Sequence, residues 1–351
     1  MTWDIALILG VDGLANGAVY LLAGLGLVLI FSVTRVVFVP FGDIAAFAAL
    51  TLAAFETNRM PPTIALVGVL AVLAVVVETV SLARRGEFNR IPRAIAWWGL
   101  LPAVPCILAW LAARPGVPAA VHVAAAVLLV VPLAPLVARI VFQPIADASV
   151  LVLLIVSLAL HFLLSGLGLL FFGPEGTRTN PLVGGSLTLG DGYAVSGQLI
   201  LMMASAIVLS GLFFLVFEHT VSGKALRATA VNRVGARLVG IRPARTALLA
   251  YGCASLLGGL IGVLIAPGTT MYYDSGFIIG LKAFVAAIIG GLVSYPLTAI
   301  GGLAVGLVES FASFYSGAMK DVIVFSLLIP VLMLRSFLSV HVDEDEEEVD
   351  Q

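Results

Sequence analysis

Long apolar runs, separated by short polar breaks, make up most of this chain. Candidate membrane spans lie at 5–33, 43–57, 62–82, 94–113, 119–141, 148–172, 197–218, 246–267, 278–292, 297–314 and 321–339. Most of these runs have the roughly 17–25 apolar residues that a helix needs to cross a ~30 Å hydrocarbon core. The pattern predicts an all-α polytopic membrane protein, a bundle of about 8–11 transmembrane helices forming one domain over residues 1–340.

Three candidate spans, at 43–57, 278–292 and 297–314, are short. Half-helices and re-entrant segments have this length, and a membrane tolerates them only where protein or a water-filled cavity surrounds the irregular backbone. We therefore expect some of the three to end inside the bundle. The first apolar run follows Asp4 rather than a basic stretch, so it is interpreted as a retained helix and not a signal peptide.

Composition agrees with a membrane protein. Hydrophobic residues make up 61% of the chain, whereas roughly 45–50% is usual for soluble domains. The two cysteines, Cys106 and Cys253, lie in apolar surroundings without a partner motif. We therefore predict neither a disulfide framework nor a metal site.

Positive charge is concentrated between two apolar runs, in residues 223–245. This segment contains six of the 18 Lys and Arg residues and no acidic residue: Lys224, Arg227, Arg233, Arg237, Arg242 and Arg245. Because cytoplasmic loops carry an excess of Lys and Arg, the segment predicts a cytoplasmic loop over 219–245. Alternating outward from it gives an N-outside, C-inside orientation.

The basic loop has a helical pattern. Leu226, Ala230, Val234 and Leu238 recur every four residues, which predicts one short amphipathic helix with a single apolar stripe. Gly240 can end that helix before the next span. Two interpretations stay open: a docking surface for a soluble partner, or a helix held on anionic lipid.

Two polar segments lie outside the spans. The acidic tail at 341–351 contains DEDEEEVD, a run of like charge that we expect to be disordered and cytoplasmic. Residues 173–196 are rich in Gly, Pro, Thr and Asn, which predicts an irregular extracytoplasmic loop. Such a loop can contact a protein that delivers a solute, or it can be an ordinary connection.

Ionisable residues within apolar runs are costly, about 2.5–3.5 kcal/mol at a helix centre on insertion scales. Lys282 and Glu309 lie in neighbouring short segments and can form a pair that offsets part of this cost. The pair can stabilise a broken helix or contact the solute.

Motifs for independent chemistry are missing from the sequence. Gly223-Lys224 lacks the upstream glycine and the following Ser or Thr of a phosphate-binding loop. His-Glu-x-x-His and Cys-x-x-Cys patterns are absent, and the four histidines are scattered. We predict no ATP hydrolysis by this chain alone, no cofactor, no metal and no nucleic-acid partner. An ion-coupled secondary transporter stays an alternative, but it needs ion ligands on discontinuous helices.

Pairs of glycines four residues apart recur in the spans: Gly13 and Gly17, Gly258 and Gly262, Gly302 and Gly306. This spacing allows helix backbones to approach closely. Helix packing is one interpretation, and a glycine-lined solute path is the other.

Several blocks of the chain, in order, resemble the permease subunits of branched-chain amino-acid ABC importers. The blocks are GLANGAVYLLAGLGLVLIFSVTRVVFVPFGDIAAF, VFQPIADASVLVLLIVSLALHFLL, GKALRATAVNRVGARLVGI and GLKAFVAAIIGGLVSYPLTAIGGLAVGLVES. They cover roughly residues 10–55 and 135–340. Related permeases for urea and short amides share the pattern, so the resemblance implies an amino acid only loosely.

The resemblance implies a multi-pass permease of the cell membrane with several partners. These are cytoplasmic ATP-binding subunits, an extracytoplasmic solute-binding protein and a second permease, either homologous or identical. Residues 223–241 would correspond to the segment that couples to the ATPase. The matching positions are Gly223, Ala228, Asn232, Arg233, Ala236 and Gly240, and the cations, including Lys224, Arg227 and Arg237, would meet acidic groups there.

The chain departs from the family pattern in two places. Val231 and Val234 stand where acidic residues are common, so this loop is more purely cationic than usual. Residues 57–130 exceed the usual stretch by about one helical hairpin, which predicts an insertion.

Overall fold

The computed structural model describes residues 3–189 and 193–333. Within these ranges, eight helical stretches are long and apolar enough to cross a membrane: Trp3–Thr34, Thr63–Arg84, Phe88–Ala112, Ala119–Phe142, Val150–Phe172, Gly197–His219, Pro243–Ile265 and Tyr295–Tyr315. The prediction of an all-α polytopic membrane protein is confirmed. The predicted acidic tail lies outside the described residues.

The helices are numbered in chain order. They are α1 Trp3–Thr34, α2 Phe41–Glu56, α3 Thr63–Arg84, α4 Ile91–Ile95, α5 Leu101–Ala112, α6 Ala119–Val130, α7 Leu133–Val137, α8 Val150–Phe172, α9 Gly197–His219, α10 Val221–Val231, α11 Arg233–Leu238, α12 Pro243–Ile265, α13 Ser275–Ile289, α14 Tyr295–Tyr315 and α15 Lys320–Ser326. A 3₁₀ turn, Phe88–Arg90, precedes α4, and π-helical turns occur at Ala96–Leu100 and Ala138–Phe142.

Two of the three short candidate spans are short helices, and the third is not. α2 has 16 residues and α13 has 15, so they extend only about 24 and 22 Å at 1.5 Å per residue. The third segment, 297–314, belongs to a longer helix, because α14 has 21 residues and membrane-spanning length. Tyr295 and Pro296 begin this helix earlier than hydropathy indicates, since Ser294 caps it and proline is compatible with the first turn.

The centre of the bundle is α1, which packs against α14, α12 and α13. Glycines allow the closest of these approaches. A Cβ added to Gly306 in α14 would lie 2.1 Å from the Gly17 nitrogen in α1, and one added to Gly262 in α12 would lie 2.0 Å from the Ala45 oxygen in α2. Backbones touch at these glycines, which fits the interpretation that they serve helix packing.

The short helices α2 and α13 also meet through glycine. A Cβ added to Gly42 would lie 1.9 Å from the Gly276 oxygen. Residues 35–40, between α1 and α2, are not helical, and Val36 and Phe38 there are buried. The Val39 amide donates to Ser157 Oγ of α8 at 2.9 Å. Irregular backbone at this depth is therefore enclosed and hydrogen-bonded by protein, as a membrane protein requires.

The loop at 173–196 is more ordered than its composition predicts. Strands β1 (Ser186–Leu189) and β2 (Tyr193–Ser196) pair antiparallel, because this part contains the Thr, Val and Tyr residues that favour strands. Arg178 Nε donates to the Pro267 oxygen at 2.8 Å, and the Asn180 amide donates to Glu56 Oε2 at 3.0 Å. The C-terminal ends of α2, α8 and α12 therefore lie on one face, and α10–α11, which leads into the start of α12, lies at the opposite end.

Candidate functional site

The basic loop folds as two helices rather than one. Asn232 is extended, with φ −148° and ψ 105°, and separates α10 from α11. The predicted single amphipathic helix is therefore wrong: Leu226 is 3% exposed, but Val234 and Leu238 are 67% and 84% exposed. The side chain of Asn232 competes with the helix by accepting a hydrogen bond from the Gly235 amide at 2.8 Å, which caps α11.

α10 is held tightly against the end of α9. Thr220 caps its first turn, with Oγ1 accepting from the Gly223 amide at 3.0 Å. A Cβ on Gly223 would lie 2.5 Å from the Phe217 Cα, so only glycine fits without a shift. Leu226 packs in a small cluster with Phe217 of α9 and with residues of α1 and α12. The predicted site residue Gly223 is thus a close-packing position.

Polar contacts tie α10 to its neighbours. Thr246 Oγ1 of α12 donates to Thr229 Oγ1 of α10 at 3.2 Å, and both residues are buried. Arg227 Nη1 lies 2.5 Å from Glu218 Oε2 of α9. Glu218 thereby neutralises one of the cations that the resemblance assigns to an ATPase.

α11 ends at a glycine turn, as predicted. Gly240 has φ +86°, a left-handed conformation that favours glycine. Its amide donates to the Arg237 oxygen, and the Ile241 amide donates to the Ala236 oxygen at 2.9 Å. Ala236 is buried, while Arg233 is half-buried with an Nε that has no hydrogen-bond partner among the described residues.

The outward side of these two helices combines apolar and basic residues. We call it the α10–α11 surface, and it consists of exposed side chains only: Lys224, Val231, Val234, Arg237, Leu238 and Val239. Four of the six are aliphatic, and the two cations have no ion pair within the described part of the chain.

Most positions that carry the resemblance therefore build this segment rather than form its surface. Gly223 permits the α9 contact, Asn232 caps α11, Ala236 is buried and Gly240 makes the turn. Ala228 is half-buried in α10. A four-residue period assumes one continuous helix, so it places Val234 and Leu238 on the buried stripe with Leu226, whereas the break at Asn232 leaves both exposed.

Lys282 and Glu309 are buried and lie in contact within a larger ionic cluster. Its other two members, Lys320 and Asp321, are half-buried. Lys282 Nζ is 2.6 Å from Glu309 Oε1 and 2.9 Å from Asp321 Oδ1, and it lies 5.6 Å from the centre of the Tyr20 ring. Lys320 Nζ is 3.8 Å from Glu309 Oε1. Two cations face two carboxylates, so the cluster is neutral and joins α13, α14 and α15. This geometry favours the stabilising role over direct contact with a solute.

A buried hydrogen-bonded pair, Asp43 with His161, was not predicted. His161 Nδ1 of α8 lies 2.9 Å from both carboxylate oxygens of Asp43 in α2, and both residues are buried. Phe277 of α13 stacks on the imidazole with ring centres 4.7 Å apart. The sequence contains little to indicate this pair, because Asp43 and His161 are 118 positions apart and each stands alone in an apolar run. Elsewhere, Arg139 forms an ion pair with Glu78 of α3.

Comparison with known proteins agrees with this architecture. The sequence pattern of a family described as "Branched-chain amino acid transport system / permease component" matches residues 10–333. This chain belongs to that permease family. It is a multi-pass protein of the cell membrane.

Individual relatives of the permease share less than a third of its residues in the aligned part. It is 30% identical over 203 residues to the high-affinity branched-chain amino acid transport system permease protein LivH of Escherichia coli, covering 56% of this chain and 66% of LivH. It is 28% identical over 204 residues to the corresponding protein BraD of Pseudomonas aeruginosa, with the same shares. The chain thus spans slightly less than two thirds of these relatives. No solved structure matches the permease.

Proposed function

We propose that this permease is the membrane subunit of an ATP-driven importer that moves branched-chain or other aliphatic amino acids into the cell. LivH of Escherichia coli and BraD of Pseudomonas aeruginosa, both named for branched-chain amino acid transport, support the solute class. ATP hydrolysis is assigned to separate cytoplasmic ATP-binding subunits, and solute delivery to an extracytoplasmic binding protein. A second permease, homologous or identical, completes the membrane part.

The observation that carries the proposal is the α10–α11 surface. Aliphatic side chains such as Val231 and Leu238, 86% and 84% exposed, are poorly placed against water, and exposed apolar groups rimmed by polar ones mark interaction sites. Lys224 and Arg237 flank them and favour an acidic partner surface. An ATP-binding subunit with an apolar cleft and acidic rim fits this chemistry.

The contacts that fasten α10 to its neighbours would transmit a movement of the α10–α11 surface to the other helices of the bundle. Thr229 is hydrogen-bonded to Thr246 of α12, and α12 touches α2 directly at Gly262 and Ala45. α2 in turn bears Asp43, bonded to His161 of α8. We propose that closure of the ATP-binding subunits shifts α10 and α12 together and biases the bundle between outward-open and inward-open arrangements.

The face opposite the α10–α11 surface has features suited to docking a solute-binding protein. There the loop at 173–196 is fastened to the ends of α2 and α12 by Asn180 and Arg178. A fixed loop gives a partner a defined surface at low ordering cost.

Reconstituted uptake tests the proposal. The permease would be placed in proteoliposomes with its second permease and ATP-binding subunits, and uptake of radiolabelled leucine measured with and without ATP, with urea as the comparison solute. We expect leucine uptake that requires ATP. Gly240→Pro combined with Arg233→Glu should abolish it, because proline cannot adopt φ +86°. Uptake without ATP-binding subunits, or full uptake by the double variant, would contradict the proposal.

A further inference from the structure

A large cavity lies between the inserted region and the start of α12. Its volume is about 1180 Å³, which exceeds the roughly 300–1,000 Å³ of pockets for drug-sized ligands. Residues of 57–130 line one side, from the end of α3 through α5, and the first turns of α12 line the other. Neither the α10–α11 surface nor the Lys282 cluster contributes to it.

One end of the cavity is strongly basic. Arg85 and Arg93 approach from the inserted region, and Arg242 and Arg245 from α12. None of these four has an ion pair among the described residues, whereas the two carboxylates of the lining are occupied: Glu87 binds Arg90 at 2.6 Å, and Glu78 binds Arg139. Unpaired positive charge of this kind favours an anionic ligand.

The remainder of the cavity is apolar and long. From Arg93 the lining continues along the same helical stretch through Trp97 and Leu101 to Leu108, about 22 Å at 1.5 Å per residue. One leaflet of a ~30 Å hydrocarbon core is about 15 Å deep. On α12 the order is the same, with Arg245 followed by Leu248 and Leu249. Charge at the surface and apolar walls below it match an amphipathic ligand.

Breaks in the helices give the lining its concave shape. The π-helical turn Ala96–Leu100 is followed by Pro102 and Pro105, and α6 stops at Pro132 before α7. All three prolines line the cavity. Internal proline and π turns bend a helix away from its neighbours and free space between them.

We propose that this cavity binds one anionic phospholipid. Its phosphate lies among Arg85, Arg93, Arg242 and Arg245, and an acyl chain lies along the apolar lining toward Leu108. A free phosphate leaves the apolar walls in contact with water. The acidic tail at 341–351 supplies charge but only two aliphatic residues, Val342 and Val349, which are seven positions apart. The lipid would hold residues 57–130 against α12, the helix that follows α11 in the chain.

The test uses the full-length permease in nanodiscs of phosphatidylglycerol mixed with phosphatidylcholine, followed by native mass spectrometry in mild detergent. We expect one retained phosphatidylglycerol per chain. The double variant Arg93→Gln with Arg245→Gln should weaken lipid binding about tenfold or more. Each lost cation removes the attraction that one Lys or Arg has for an anionic lipid headgroup. Arg59→Gln with Arg114→Gln removes the same charge from exposed positions outside the cavity and should leave binding unchanged.

A second variant probes the apolar half. Leu108→Trp narrows the cavity without changing charge, and it should reduce retention of a phosphatidylglycerol with a photoreactive acyl chain and its cross-linking to α5. Three results would overturn the proposal: equal lipid retention by both arginine double variants, displacement of the lipid by inorganic phosphate alone, or increased retention after removal of residues 341–351, which would identify the tail as the occupant.

Discussion

The α10–α11 surface and the Lys282 cluster both concentrate charge, but the structure treats that charge in opposite ways. In the cluster, the buried Lys282 contacts Glu309 and Asp321, and the half-buried Lys320 lies near Glu309, so two cations balance two carboxylates. On the surface, Lys224 and Arg237 are exposed beside aliphatic residues and form no ion pair among the described residues.

The difference separates charge that holds the fold from charge that is available to a partner. A buried ion is tolerated only when it is paired, because an unpaired one loses its hydration without compensation. An exposed cation loses little by remaining unpaired, and it can then steer association with an acidic surface. Changes in the cluster should therefore affect stability, and changes on the surface should affect transport.

The largest effect is expected in the cluster. Lys282→Ala leaves Glu309 and Asp321 buried or half-buried without their partner, and breaking such a pair costs about 3–5 kcal/mol. Thermal unfolding in detergent should show a large fall in Tm. The matched control is Lys320→Ala, since this lysine is 39% exposed and 3.8 Å from Glu309, and exposed pairs contribute about 0–1 kcal/mol. Equal shifts in Tm would contradict the account of the cluster.

Gly223→Ala tests whether α10 needs its close approach to α9. The added methyl group would lie 2.5 Å from the Phe217 Cα and oxygen, and relieving such overpacking costs about 1–3 kcal/mol. Proteolysis of the loop should become faster and ATP-driven uptake slower. Gly211→Ala in α9 is the control, because nothing lies within 4 Å of the new methyl group. If both variants behave like the wild type, α10 does not depend on the close contact of Gly223 with α9.

Leu238→Glu tests the surface itself. The residue is 84% exposed, so the fold should be unaffected and Tm unchanged. Burying a carboxylate in the proposed apolar contact with the ATP-binding subunit would be costly, and we expect ATP-driven uptake to fall about tenfold or more. Leu187→Glu, on strand β1 at the other face and 62% exposed, provides the same chemical change without the contact. Normal uptake by Leu238→Glu would show that Leu238 does not take part in the proposed contact with the ATP-binding subunit.

Asn232→Ala should destabilise the fold less than Lys282→Ala or Gly223→Ala, and it should reduce uptake less than Leu238→Glu. It deletes the cap on Gly235, worth about 0.5–2 kcal/mol, and allows α10 and α11 to merge into one helix. Hydrogen exchange at the Gly235 amide should become faster, with a severalfold loss of uptake. Asn232→Asp retains the capping oxygen and should restore both properties. An Ala variant indistinguishable from the Asp variant would mean that the break does not depend on this cap.

The sequence predicts the membrane helices well, because an apolar run of spanning length has few alternatives to a helix in lipid. It also indicates the contact of Lys282 with Glu309, since two isolated charges in neighbouring apolar segments gain by meeting. It fails at Asn232, where one capping hydrogen bond overrides a regular period, and at Asp43 with His161, where tertiary packing alone joins distant positions. The cavity beside α12 depends on bends whose direction no periodicity specifies.

Site-specific cross-linking tests the central claim most directly, that the α10–α11 surface docks an ATP-binding subunit. Val234→Cys and Leu187→Cys would be compared in the assembled importer after Cys106 and Cys253, both half-buried and free, are replaced by serine. A short photo-cross-linker attached to the introduced thiol, which reacts with the partner without needing a cysteine there, should link Val234→Cys to the ATP-binding subunit. It should leave Leu187→Cys unlinked to that subunit, and the yield at Val234→Cys should change on addition of ATP. Absence of that link in a complex that transports leucine would contradict the claim.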